Sequence, residues 1–255
     1  MAHKTKIGGT AYEISSGKVL VGGTGYSIDK GRTKVGGTGY DISFGTPIGS
    51  LAVGSSVFFN INGNPYEFIV IQQGNPDSTK YDETCDGTWL LMKDIYVKSR
   101  WHSSYNEYAK SEIHSYLNNT FINLFDGDIQ SAIKQVKIPY TNGKGNVGSL
   151  DTGSNGLTTK IFLLSFTEVG FSGSIAKKEG VVLDYFNGAN DSDRVGYFNG
   201  SASYWWLRSP RTDGTARVWA VNTTGGSGYN SCSSSYGVRP VFILPYDFDI
   251  TKYLA

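Results

Sequence analysis

Apolar and polar residues alternate with period two over much of the chain and fall into helical spacing in only two places. Ser56–Asn60 and Pro65–Gln72, the latter containing Tyr-Glu-Phe-Ile-Val-Ile, read as strands. Asn62-Gly63 between them has the chemistry of a two-residue hairpin turn. Trp89-Leu90-Leu91-Met92 and Ile161–Phe166 read as buried strands. In Tyr105–Leu124 the apolar positions Ile113, Tyr116, Leu117, Phe121 and Leu124 recur at three- and four-residue intervals, which predicts a helix. Ser111-Glu112 suits a helix start there, and Asp128–Val136 predicts a second short helix. From Gly170 to Gly200 the pattern loosens, with Tyr185-Phe186-Asn187-Gly188 echoed at Tyr197-Phe198-Asn199-Gly200. Two short helices among scattered strands predict an α+β domain rather than a parallel sheet.

The first 46 residues carry a different pattern. Gly8-Gly9-Thr10, Gly22-Gly23-Thr24 and Gly36-Gly37-Thr38 recur every 14 residues. Each is followed by a Tyr-x-Ile frame at Tyr12–Ile14, Tyr26–Ile28 and Tyr40–Ile42, and Gly17, Gly31 and Gly45 close the units. Tyr and Ile two apart share one face of a strand. The Gly pairs, and Asp29-Lys30-Gly31, are turn chemistry. The reading is a series of small β-hairpins, each too small to hold a core alone, serving oligomerisation or attachment. Thr46–Ser50 marks the boundary, so the expected units are residues 1–46 and 47–255.

Composition narrows the function. The 255 residues carry 23 Lys and Arg against 22 Asp and Glu, so no electrostatic footprint for nucleic acid or an anionic membrane is present. Met1–Gly8 is polar without an apolar core, so no signal peptide is read there. No apolar run is long enough for a transmembrane helix. These features point to synthesis in a host cytoplasm and release on a particle such as a virion, without membrane insertion. Cys85 and Cys232 do not form a disulfide framework and are read as free thiols.

The C-terminal stretch carries most of the information. Trp205-Trp206-Leu207-Arg208-Ser209-Pro210 opens it, and Tyr236-Gly237-Val238-Arg239-Pro240-Val241-Phe242 closes it. Large aromatics, multidentate Arg and φ-fixing Pro make these flanks scaffold: Trp205, Trp206, Arg208, Pro210, Gly237, Arg239 and Pro240. Arg211–Tyr236 between them is rich in Ser, Thr, Gly and Asn with a few aromatics, a composition that resembles a paratope.

The frame WWLRSP…YGVRPVF, with Asp86-Gly87-Thr88-Trp89-Leu90-Leu91 and Ile161-Phe162-Leu163-Leu164-Ser165 upstream, resembles the C-type-lectin-fold variable proteins of diversity-generating retroelements, found in phage tropism determinants and tail proteins. The resemblance spans roughly residues 48–246. It implies a C-type lectin-like domain behind the hairpin repeats, with a diversified segment at about 203–236. Such retroelements mutate template adenines, and an Asn codon then cannot reach Lys, Glu, Gln, Met or Trp. Arg211–Tyr236 contains no Lys, Glu, Gln or Met and a single Trp, Trp219, where about three residues of the first four types are expected from overall usage. The implied protein is a viral, phage-tail receptor-binding protein that holds a bacterial cell-surface protein or glycan by surface complementarity. It is a homo-oligomer, a trimer by analogy with tail fibres. The expected ligand contacts are Arg211, Asp213, Arg217, Trp219, Asn222, Tyr229, Asn230 and Cys232, with the aromatics and Arg as anchors.

Other readings are weaker. A calcium site needs converging oxygens, and the segment offers only Asp213, Asn222 and Asn230; the acidic run Asn190–Asp193 lacks a distal Glu. His3, His102 and His114 show no motif, and no nucleophile elbow, P-loop or zinc signature is present. Asp126 and Asp128 could form a glycosidase pair but sit where helix N-terminal acids belong. No catalytic residue, metal or cofactor is therefore assigned, and an enzyme is not expected. A non-variable tail or decoration protein is the alternative, with a glycan-processing enzyme behind it.

Overall fold

The computed structural model describes residues 45–254 in full and, of the N-terminal segment, six strands within residues 3–43. Contacts divide the chain into two units, Met1–Thr46 and Pro47–Ala255.

In the first unit β1 (His3–Ile7) pairs with β2 (Thr10–Ile14), β3 (Lys18–Val21) with β4 (Thr24–Ser27), and β5 (Lys30–Val35) with β6 (Thr38–Ser43), all antiparallel. Tyr12, Tyr26 and Tyr40 hold the same register position, opposite Thr5, Val19 and Thr33. Lys30 and Gly31, expected in a turn, begin β5. The Gly pairs at 8–9, 22–23 and 36–37, with Gly17, Ile28 and Asp29, lie outside the described residues.

The second unit opens with the hairpin β7 (Ser56–Ile61) and β8 (Asn64–Gln73). Asn62 and Gly63 turn it with φ of 51° and 76°, the left-handed pair that a two-residue turn needs. Strands β9 (Thr88–Met92) and β10 (Val97–Arg100) follow. Helix α1 (Glu112–Asn119) starts at Ser111, whose side chain accepts from the His114 N–H. It ends after two turns, where the backbone tightens into a 3-10 helix at Phe121–Leu124, and the Asn118 side chain ties its last turn to the next segment. Its Nδ2 donates to Ile161 O at 2.8 Å, and its Oδ1 accepts from Lys160 N and Ile161 N. The short helix α2 (Gly127–Ala132) stops where the chain turns extended. The small strands β11 (Val136–Ile138), β12 (Tyr140–Asn142), β13 (Ser149–Asp151) and β14 (Leu157–Thr159) pair as β11–β14 and β12–β13. Next come β15 (Ile161–Phe162) and the hairpin β16 (Gly196–Phe198)–β17 (Ser201–Ser203). Last are β18 (Trp205–Pro210), β19 (Arg217–Val221), β20 (Ser227–Ser231), β21 (Ser235–Val238) and β22 (Val241–Leu244).

Two five-stranded sheets organise this unit. One is antiparallel, in the order β15-β22-β9-β8-β7; the other runs β10-β21-β18-β19-β20, with β18 and β21 parallel. Both faces of the central strands are covered. One core gathers Phe59, Phe68, Leu90, Leu117, Phe121, Trp206 and Phe242, the other Ile71, Trp89, Leu91, Phe162, Trp205, Leu207 and Trp219. Burying each such large side chain is worth roughly 1.5–3 kcal/mol, so these double-sided strands dominate stability.

These elements overturn the α+β expectation. Strand accounts for 35% and helix for 18%, with one real helix and several small sheets, and no clear C-type lectin-like pattern emerges. The physical reason lies in the tightening of the chain into a 3-10 helix after Thr120 and in the pairing of β11 with β14. Together they cut both expected helices to eight and six residues. Ile161–Phe166, expected as one strand, is strand only at Ile161–Phe162, although Leu163, Leu164 and Phe166 are buried. Among the described residues no helix is long and apolar enough to cross a membrane.

Candidate functional site

The motif flanking Arg211–Tyr236 on its C-terminal side is the corner between the two sheets. β21 belongs to one sheet and β22 to the other, and Arg239-Pro240 joins them. Arg239 is buried, donates to the carbonyls of Met92 (3.2 Å) and Lys93 (2.7 Å), and lies 4.6 Å over the Trp205 ring. Burial without a carboxylate partner pushes its pKa down to about 10. Pro240, with no N–H, offers only its carbonyl, which accepts from Met92 N. Gly237 is required by packing, since a Cβ there would meet Ile95 side-chain atoms at 2.6–2.8 Å.

The flank on the other side is β18, the central strand of the second sheet. Trp205 and Trp206 are fully buried and donate to Arg194 O and Ser99 O. Pro210 is buried at the strand's end. Arg208 is fully buried and holds Glu168 through both carboxylate oxygens, at 2.5 and 2.7 Å, while donating to Pro139 O and Leu163 O. Tyr81 Oη also donates to Glu168. A second buried carboxyl, Glu179, accepts from Thr141 N and Oγ1 at 2.6 Å and contacts Ser209 Oγ. Burial raises its pKa. Every polar atom of this cluster has a partner, as a buried network requires.

Between the flanks the chain builds a loop, residues 211–216, closed by Arg217 at the start of the hairpin β19–β20. Arg211 N donates to Arg217 O across the base of the loop, and Thr212 N donates to Ile175 O. Asn106, fully buried, is the hub. Its Nδ2 faces the carbonyls of Arg217 (2.7 Å), Gly214 (3.2 Å) and Arg211 (3.3 Å). Its own N–H donates to Thr215 O, and its Oδ1 accepts from Gly145 N. All these contacts on the loop are to main chain.

On one face of β19–β20 sits a guanidinium–aromatic cluster. Trp219 and Tyr229 are directly opposite across the two strands, ring centroids 5.9 Å apart and nearly perpendicular. The Arg211 guanidinium lies 3.8 Å over Tyr229 and 4.9 Å over Trp219, and pairs with Asp213 through Nε at 2.9 Å and through Nη2. That hydrogen-bonded pairing holds the Asp213 carboxyl below its usual range and Arg211 above its own. Arg217 lies 5.7 Å over Tyr229 from the strand before it. Tyr229 is 47% exposed.

The structure thus brings Arg211, Asp213, Arg217, Trp219 and Tyr229 together and sets the other expected contacts apart. Trp219 is 9% exposed, packs 4.3 Å from Phe166 and donates to Ile175 O, so it supports the surface from beneath. Arg211 is likewise buried. Cys232 is 1% exposed in the core and cannot reach a ligand; its carbonyl accepts from Trp101 N and His102 N. Asn222 spends its Oδ1 inside the β19–β20 turn, accepting from Thr224 N and Oγ1 and from Gly226 N. In that turn Gly225 has φ 88° and faces Asp191 O, leaving no room for a side chain. Asn230, next to Tyr229, lies on the opposite face, where it donates to Tyr236 Oη.

Sequence reasoning missed Asn106, Lys144 and Tyr105. Lys144 lies 5.3 Å over the Tyr105 ring, one residue from Gly145 on the hub. No local pattern marks a residue that acts 105 positions away. The remaining candidates are structural. Asp128 accepts from Tyr253 Oη and pairs with Lys252, and Asp126 accepts from Asn60, so the two acids are turned to different partners. His114 is partly buried in α1, and burial lowers its pKa. In the acidic run, Asp193 accepts from Asn190 N and Asp191 pairs with Arg194. Cys85 and Cys232 are both free and buried.

A mainly β protein with a backbone-braced loop and an exposed cation–aromatic surface is what the geometry defines. The family described as "Domain of unknown function (DUF6273)" matches residues 86–246, and the chain belongs to it. The match begins at the Asp86-Gly87-Thr88-Trp89 strand and runs past the Arg239-Pro240 corner. No curated protein and no solved structure matches the chain.

Proposed function

We propose that the chain is a phage-type receptor-binding protein that holds a bacterial surface ligand through the face carrying Arg217, Tyr229 and Asp213. One observation carries this reading. The loop from Arg211 to Arg217 is fixed through its main chain by Asn106 and Ile175, both outside the stretch Arg211–Tyr236, while its Asp213 and Arg217 side chains are exposed. A loop held in that way keeps its shape whatever side chains it displays. That is the physical requirement for a binding surface diversified at Arg211–Tyr236, as in the variable proteins of retroelements. Binding needs no covalent step, catalytic residue or cofactor. The three N-terminal strand pairs fit a role in joining copies, and a solution mass that is monomeric with and without residues 1–46 would exclude it.

The test is a cell-binding assay on candidate host bacteria with the wild-type chain and Arg217→Ala/Tyr229→Ala. Trp219 is left in place because its removal would empty space against Phe166. Loss of at least tenfold in binding, with the unfolding midpoint unchanged, is expected. Unchanged cell binding moves the recognition surface elsewhere and favours a decoration protein.

A further inference from the structure

The charges around the Asn106 hub do not balance, and the imbalance indicates what the surface takes. Arg211, Arg217, Lys144 and Lys110 stand on the hub's loops or within four residues of Asn106, against Asp213 and Glu107. Both carboxylates are already committed, Asp213 to Arg211 and Glu107 to Lys110 at 3.0 Å. Arg217 and Lys144 make no ion pair with a carboxylate among the described residues, although the Arg217 charge still acts on Asp213 through space, and both are exposed. Each instead stands over a tyrosine ring, Arg217 over Tyr229 and Lys144 over Tyr105. Both segments hang on one side chain, since Asn106 accepts from Gly145 N and donates to Arg217 O. An anion arriving at this hub meets two exposed cations that no ion pair has taken up. Tyr229, 47% exposed, offers apolar surface to a ring that carries its own hydroxyls, whereas Tyr105 is half-buried with its ring centroid 3.7 Å from that of His102.

We propose, resting on the receptor-binding reading above, that these two cation–tyrosine pairs form a site for an acidic saccharide, a pyranose bearing a carboxylate. The carboxylate meets Arg217 or Lys144 in a charge-assisted hydrogen bond, Arg being suited to two parallel bonds. The C–H face of the sugar rests on the exposed part of Tyr229. A polymer that carries several carboxylates can bring one to Arg217 and another to Lys144, which raises affinity by avidity. Asp213, held on Arg211, borders the site and selects against a second carboxylate on the Tyr229 side.

The experiment is calorimetric titration of the full chain with galacturonic acid oligomers and with galactose oligomers of the same length. Binding of the acidic oligomer that falls with added salt, and at least tenfold weaker binding of the neutral one, is expected. Arg217→Gln and Lys144→Gln should each weaken the acidic oligomer about tenfold, and Tyr229→Ala should weaken both oligomers. All three positions are exposed, and an unchanged thermal midpoint reports an intact fold. Equal binding of the two oligomers, no binding of the acidic one, or indifference to both Gln substitutions overturns the proposal. If cell binding depends on Tyr229 while galacturonic acid oligomers fail to compete, the receptor-binding reading stands and the acidic saccharide falls.

Discussion

Replacing Asn106 is the most searching perturbation of the site, because this side chain never reaches the surface. Its Nδ2 hydrogens serve three loop carbonyls and its Oδ1 serves Gly145 N, all in a position with no exposed area. Asn106→Ala removes about three effective hydrogen bonds at roughly 1 kcal/mol each and leaves the carbonyls buried, a loss of about 3 kcal/mol. For a unit of this size that corresponds to a fall in unfolding midpoint of about 6–12 °C. Asn106→Asp preserves volume and the Gly145 contact. It also turns a carboxylate oxygen toward three carbonyl oxygens, so it should destabilise at least as much as Ala despite its shape. Thermal unfolding at pH 7 reads both variants, and the ligand titration reads the loop. An Asp variant that unfolds within about 2 °C of wild type would show that the hub is merely space-filling, and the argument for a braced display loop would fail.

Two further predictions concern the buried charges beneath the site. Glu168→Gln keeps the shape but strips fully buried Arg208 of its counter-charge, and should cost about 3–5 kcal/mol in chemical denaturation; a loss under about 1 kcal/mol would refute a structural ion pair. Glu179 has its pKa raised by burial above the usual 4.5, so the folded state holds its proton more tightly than the unfolded chain. Its contribution is therefore complete below about pH 4.5 and is lost as pH rises through its folded value. The stability difference between wild type and Glu179→Gln should be flat at low pH and turn against wild type as pH climbs above 4.5; a difference that moves the other way contradicts the assignment.

Local chemistry settled several elements without tertiary help. Asn62-Gly63 specifies its turn because few residue pairs tolerate two positive φ values in succession, and the flanking β7 and β8 follow from their alternation. Ser111 marks the start of α1 by the hydrogen bond that its own side chain supplies. Trp205, Trp206, Arg208 and Arg239, marked as scaffold by their size and their multidentate hydrogen bonding, are buried.

Only the tertiary structure decided the rest. The helical spacing of Tyr105–Leu124 promised a longer α-helix than exists, because the chain tightens into a 3-10 helix at Phe121–Leu124 while Asn118 fastens the end of α1 to the strand that follows in space. The expected ligand contacts were eight residues in one composition-defined stretch, and the fold sorts them by face and depth. Tyr229 and Asn230 part because neighbours on a strand point to opposite sides. Trp219 and Cys232 sink because the sheet is covered on both faces. Asn106 and Lys144 join the site across more than 70 residues of chain through hydrogen bonds to backbone groups. Every residue type carries such groups, so no pattern in the sequence can announce which of them will meet.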